Sequence, residues 1–151
     1  MDRLLIVGFG NVLRSDDGLG WRVADALARQ NTRKDVRIVT TQQLMPEMAE
    51  LASRAEQILF IDAARDGQPG NVACEELVPT ESPVRHSHEL SPAAVLRLAK
   101  DLYGRCPPAE LFTITGESFE TGDTMSAPVV AAIPGLMAKI KEIIDSAQEQ
   151  E

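Results

Sequence analysis

Leu4-Leu5-Ile6-Val7 is a short, unbroken apolar run that stops at Gly8, the pattern of a strand buried on both faces. After the loop from Phe9 to Ser15, Leu19, Val23 and Leu27 recur every four residues with alanines between them, which predicts a first helix over about residues 17 to 30. Val36 to Thr41 is β-branched and partly alternating, a second strand, and Pro46 to Arg54, with Met48, Leu51 and Ala52, reads as a second helix. Ile58-Leu59-Phe60-Ile61 is again fully apolar and ends on Asp62, a third buried strand. Turn residues Asp66-Gly67 and Pro69-Gly70 precede Asn71 to Leu77, whose mixed pattern suits an edge strand. Ser91-Pro92 supplies an N-cap and a first-turn proline for a third helix over Ala93 to Tyr103, with Gly104 placed to stop it. Leu111 to Thr115 is a further strand ending at Gly116. Val129, Ile133, Met137, Ile140 and Ile144 define a last amphipathic helix that Pro134-Gly135 is expected to kink or restart. The polar tail from Gln148 to Glu151 is expected to fray.

Strands alternating with helices predict an α/β three-layer sandwich: a mostly parallel, twisted sheet of about five strands, one edge strand antiparallel, with helices on both faces. A chain of 151 residues fits one domain over residues 1–151, and no internal repeat or linker divides it. With 44% hydrophobic and 25% charged residues, neither disorder nor a fibrous class is expected. The net charge is -8 and no Lys/Arg cluster could track a phosphate backbone, so nucleic acid is not an expected partner. Basic peptides or protein surfaces are compatible with that field. Cys74 and Cys106 stand apart, outside any Cys-x-x-Cys or Cys/His spacing, and read as structural thiols in a reducing compartment. No run of ~18 apolar residues occurs and the opening run is too short for a signal peptide, so a cytoplasmic protein without membrane insertion is expected.

In open α/β sheets the loops at the carboxyl ends of the strands carry the site. Three polar features fall there: Gly8 to Gly18 after strand 1, Asp62 at the end of strand 3, and His86-Ser87-His88-Glu89 before helix 3. Gly8-Phe9-Gly10 invites a dinucleotide reading, but Leu13 replaces the third glycine of G-x-G-x-x-G, and Asp16-Asp17 would repel phosphate at the helix start. One aspartate there has an ordinary explanation as a helix cap. Two, followed by Gly18-Leu19-Gly20, exceed what capping needs, and the glycines suggest close approach of another backbone. Asp62 is either a turn former or a ligand facing the crevice. His88 is either a surface histidine or a ligand, and His86 has the weaker claim. Together one of the two aspartates, Asp62 and a histidine make an O,O,N set with open positions that suits Zn, Ni, Co or Mn without selecting among them.

The opening strand followed by Gly10-Asn11-Val12-Leu13-Arg14-Ser15-Asp16-Asp17-Gly18-Leu19-Gly20 resembles the G-N-x-L-x-x-D-[DE]-x-x-G signature of the hydrogenase maturation proteases, and the likeness runs nearly end to end. Leu59 to Ala63 is similar to the family's strand with the second ligand, and His88-Glu89-Leu90-Ser91-Pro92 to its histidine segment. The resemblance implies that Asp17, Asp62 and His88 contact nickel, with Asp16 the neighbouring acid. It also implies that Gly116 to Glu120 and Met125-Ser126 help bind substrate. Many relatives carry glutamate where Asp17 stands; an aspartate is one methylene shorter, so its loop must come closer or ligate through water. The implied activity is removal of a C-terminal extension from the large-subunit precursor of a nickel–iron hydrogenase. The nickel is expected to arrive in that substrate, as the sign that cofactor assembly is finished.

No Ser/His/Asp or Cys/His nucleophile arrangement and no H-E-x-x-H helix is legible. Two routes to hydrolysis stay open: activation by the shared metal, which is preferred, or a carboxylate base, Asp16 or Asp17, with the metal only docking the substrate. The competing expectations are a non-catalytic nickel-dependent checkpoint that binds the large subunit, and a nucleotide-binding α/β domain.

Overall fold

The computed structural model describes residues 1–79 and 90–149, the side chains of 148 and 149 excepted. His86 and His88 lie outside the described residues. The elements run β1 (Leu4–Phe9), α1 (Leu19–Gln30), β2 (Val36–Thr41), α2 (Met48–Ser53), β3 (Ile58–Ala64), β4 (Val72–Leu77), α3 (Pro92–Tyr103), β5 (Ala109–Thr115) and α4 (Ala127–Glu149). A 3-10 turn, Ser15–Gly18, leads into α1. The five strands form one sheet in the order β2-β1-β3-β5-β4, parallel except for β4, which runs antiparallel at the edge beside β5. The expected α/β architecture is therefore the one observed.

The two-residue period of the strands divides the interior. Leu4, Ile6, Leu59 and Ile61 face α1 and α4, where Val23, Leu27, Leu136 and Ile140 complete one core. Leu5, Val7, Ile58 and Phe60 face α2 and α3, meeting Met48, Ala52, Val95 and Leu96. Because both faces of β1 and β3 are covered, their runs carry no polar alternation until the strand ends. Burying a side chain such as Phe60 contributes roughly 1.5–3 kcal/mol, so the central strands are the anchor of the site above them.

Local signals set several boundaries. Ser91 caps α3, its Oγ accepting the Ala94 N–H at 3.1 Å, and Gly104 ends the helix in the left-handed conformation (φ 74°). β3 extends past the expected end: Asp62, Ala63 and Ala64 pair with Thr113, Ile114 and Thr115, so Asp62 stands in the ladder and not in a turn. α4 is one continuous helix through Pro134, so the expected restart does not occur. Proline there removes the hydrogen bond to the Val130 carbonyl, and Val130 is half exposed, so water can satisfy that group. Among the described residues no helix is long and apolar enough to cross a membrane.

The chain passes from β1 outward to β2 and then returns past β1 to β3, so the direction of winding reverses between β1 and β3. At such a switch point the connections leave on opposite faces and a crevice opens at the carboxyl ends of the two strands. Gly20 lets α1 settle against this edge, since a Cβ on it would stand 2.1 Å from the Ile61 carbonyl oxygen and 2.6 Å from that of Phe9. The close backbone approach expected from the Gly18-Leu19-Gly20 sequence is thus present.

Candidate metal-recognition site

A cleft of about 310 Å³ occupies the β1/β3 switch point, and Asn11, Asp17, Gln42, Gln43, Asp62 and Arg65 are among its walls. Asp62 arrives there as the first polar residue on the β3 face that begins with Ile58 and Phe60. Asp17 arrives through the loop after β1. Gly10 turns that loop with φ 147°, and a Cβ on it would lie 1.9 Å from the Asp17 carbonyl oxygen, so only glycine fits. Asn11 then works in both directions: its side-chain oxygen accepts the Leu13 N–H at 2.9 Å, and its own N–H donates to Asp17 Oδ2 at 2.9 Å. One carboxylate oxygen of Asp17 is fixed by the loop that carries it. The other, Oδ1, is 3.9 Å from Arg65 Nη2, and Arg65 rests on the Phe119 ring with its guanidinium carbon 4.1 Å from the centroid.

Asp16 has a different environment. It is fully buried, and its carboxylate accepts the Ser126 N–H (2.7 Å) on Oδ1 and the Glu117 N–H (2.7 Å), Ser118 N–H (3.1 Å) and Ser126 Oγ–H (2.7 Å) on Oδ2. Burial pushes its pKa up, but these hydrogen bonds outweigh burial and hold the carboxyl below its ordinary value. The backbone repeats the connection, with Asp16 N–H donating to Ser118 O at 3.0 Å and Ser15 N–H to Gly122 O at 2.9 Å. Asp16 therefore staples the β1 loop to the loop after β5 and to the start of α4. The expectation that it could serve as a base meets a physical obstacle: its lone pairs are engaged and it is not among the cleft walls. Glu117, Ser118 and Ser126, within the segments expected to help bind substrate, supply the donors for this carboxylate. Neither Asp16 nor Asp17 caps α1, whose start has no side-chain cap.

The loop amides also decide against a phosphate site. The N–H groups of Gly10, Asn11, Leu13, Arg14, Ser15, Asp16 and Asp17 all donate within the protein, so they cannot cradle a pyrophosphate. A hollow of about 430 Å³ between the ends of α1 and α4 lies away from the strand ends; of its two cations, Arg33 and Lys141, the first is committed to Asp35 and to the Ile144 carbonyl. Cys74 and Cys106 are free thiols outside the cleft walls.

The donor set suits a borderline or hard divalent cation: one carboxylate from the turn before α1 and one from the end of β3, neither of them buried. No group of three or more His, Cys, Asp or Glu that could hold a metal occurs among the described residues, so the pair needs another donor. His88, the expected third ligand, lies outside the described residues; Leu90, two positions on, lines the same cleft. Phe119 belongs to the Gly116 to Glu120 segment expected from sequence, but Arg65 does not, its signal being slight: a cation a few positions after a strand-ending acid.

The switch-point topology defines an open α/β protein with an acidic-walled cleft at the carboxyl ends of its strands. The chain matches no protein-family model and no curated protein. It does share its fold with solved hydrogenase maturation proteases. The [NiFe] hydrogenase maturation protease HycI from Thermococcus kodakarensis KOD1 matches with TM-score 0.77 and 24% identity, over 95% of this chain and 92% of that one. The hydrogenase maturating endopeptidase HybD from E. coli matches with TM-score 0.76 and 22% identity, over 96% and 93%. A hydrogenase 2 maturation peptidase from a Thaumarchaeota archaeon matches with TM-score 0.70 and 23% identity, over 95% and 99%.

Proposed function

We propose that this chain is a nickel-dependent endopeptidase that removes the C-terminal extension from the large-subunit precursor of a nickel–iron hydrogenase. The observation that carries the reading is that Asp17, from the turn before α1, and Asp62, in β3, line one cleft of a fold shared with maturation proteases. His88 is proposed as the third ligand from its place in the sequence motif before α3. The nickel belongs to the substrate, which fits a partly exposed carboxylate pair better than it would a closed metal cage.

Nickel carried in by the precursor supplies a Lewis acid that can polarise the scissile carbonyl or acidify a water. The rest falls to the chain. Asp17 Oδ1 and the Asp62 carboxylate receive the cation, while the Asn11 N–H on Asp17 Oδ2 keeps the shorter aspartate from rotating out of reach. The Gln42 and Gln43 amides, each both donor and acceptor, can pair with an extended peptide backbone crossing the cleft. A cleft carboxylate can take the proton of the attacking water and return it to the leaving amine, so the cut needs no side-chain nucleophile. With Asp16 fully engaged, Asp17 is the carboxylate of the pair available for that transfer.

Purified protein mixed with nickel-loaded precursor and analysed by intact mass is expected to yield a shortened large subunit, and nickel-free precursor to stay intact. Binding without shortening would make the chain a non-catalytic checkpoint and remove the protease.

A further inference from the structure

Arg65 is the residue after β3, three beyond Asp62, and it faces Asp17 on the oxygen that the loop leaves unbonded. Asn11 holds Oδ2 at 2.9 Å, whereas Arg65 Nη2 stands off Oδ1 at 3.9 Å. That separation is too long for a hydrogen bond. The Arg65 side chain is 63% exposed, so little packing locks it in place. What defines its position is the Phe119 ring, over which the guanidinium lies at 4.1 Å. Phe119 belongs to the loop that Asp16 anchors, so the arginine's perch is built into the same framework as the Asp17 loop.

We propose that Arg65 is a displaceable cationic guard, which screens Asp17 against free divalent ions and swings off its perch when a metal-bearing substrate enters. The inference rests on the reading that Asp17 and Asp62 receive the metal. A positive charge beside the ligands opposes any dication through like-charge repulsion and occupies the approach to Oδ1. A free aqueous ion has only its bonds to the carboxylates to set against that opposition. A metal presented by a protein brings the contacts of the surrounding peptide as well, so the guard raises the difference between the two. A site that reads nickel as a signal needs that difference, because filling by free ions would abolish the information.

Calorimetric titration of the purified protein with nickel chloride tests this without any turnover. Arg65→Ala is expected to tighten nickel binding roughly five- to tenfold. Phe119→Leu, which keeps the arginine but removes its perch, is expected to tighten it by a smaller factor. Arg29→Ala, which removes a positive charge paired with Asp25 on α1, is expected to leave binding unchanged. Nickel binding by Arg65→Ala that is equal to or weaker than wild type, or undetectable in both, overturns the guard, whether or not the precursor is processed. If Arg65→Ala tightens binding but adding Asp17→Ala does not abolish it, the metal sits elsewhere, and the proposed site fails together with the guard.

Discussion

Asp17→Ala and Asp62→Ala are each expected to slow processing of nickel-loaded precursor by about 10²–10⁴-fold, with thermal unfolding close to that of the parent. Both carboxylates are partly exposed and neither is buried in a core, so their loss leaves no large cavity or buried orphan charge. Asp17 gives up the Asn11 contact and a loose pairing to an exposed arginine, whose removal is worth little to folding. Activity is thus separated from stability at these two positions. Processing is followed by intact mass and folding by a thermal melt. Full processing by Asp62→Ala would remove the residue that sequence and fold both aim at the cleft.

Asp16→Ala has the opposite signature, a large loss of stability. It strands four donors inside the protein and deletes the staple between the β1 loop, the β5 loop and the start of α4. Removing one side of such a buried charged arrangement costs about 3–5 kcal/mol. At roughly 2–4 °C per kcal/mol for a chain of this size, the melting temperature falls by ~6–20 °C. Asp16→Asn keeps the shape but turns an amide NH₂ toward donors, and it should lose most of the same stability. The pH dependence follows from the lowered pKa. Because the folded-state value lies below the ordinary 3.8, the stabilisation is fully present above pH ~4 and is lost as pH falls through the folded value. Wild-type stability should decline there more steeply than that of Asp16→Asn, as melts across an acid series would record. An Asp16→Asn protein that is as stable as the parent but inactive would return Asp16 to the catalytic group.

The contrast between these neighbours explains which parts of the molecule were legible beforehand. Strand β2 and helix α3 have nearly the limits read from sequence, because β-branched runs, Ser91-Pro92 and Gly104 act within a few residues. A site at the carboxyl ends of the strands followed from the alternation of elements and the general rule for parallel sheets, whereas the neighbouring of β1 and β3 is set by the strand order. Asp16 and Asp17, by contrast, look alike in one dimension. What separates them is supplied by Glu117, Ser118 and Ser126, about a hundred positions away, and no local pattern encodes that meeting. The Arg65–Phe119 contact is equally non-local. In helix α4 the local breaker signal at Pro134 does not restart the helix, which continues where Val129, Leu136 and Ile140 are buried.

The central claim is that Asp17 and Asp62 together receive a divalent metal, and it is tested most directly by anomalous diffraction at the nickel edge from crystals soaked in millimolar nickel. The account predicts a single strong peak in the cleft, within about 2.0–2.2 Å of oxygens from both carboxylates, and the map would show whether His88 completes the set. A peak bound elsewhere, or a cleft without one, would contradict it.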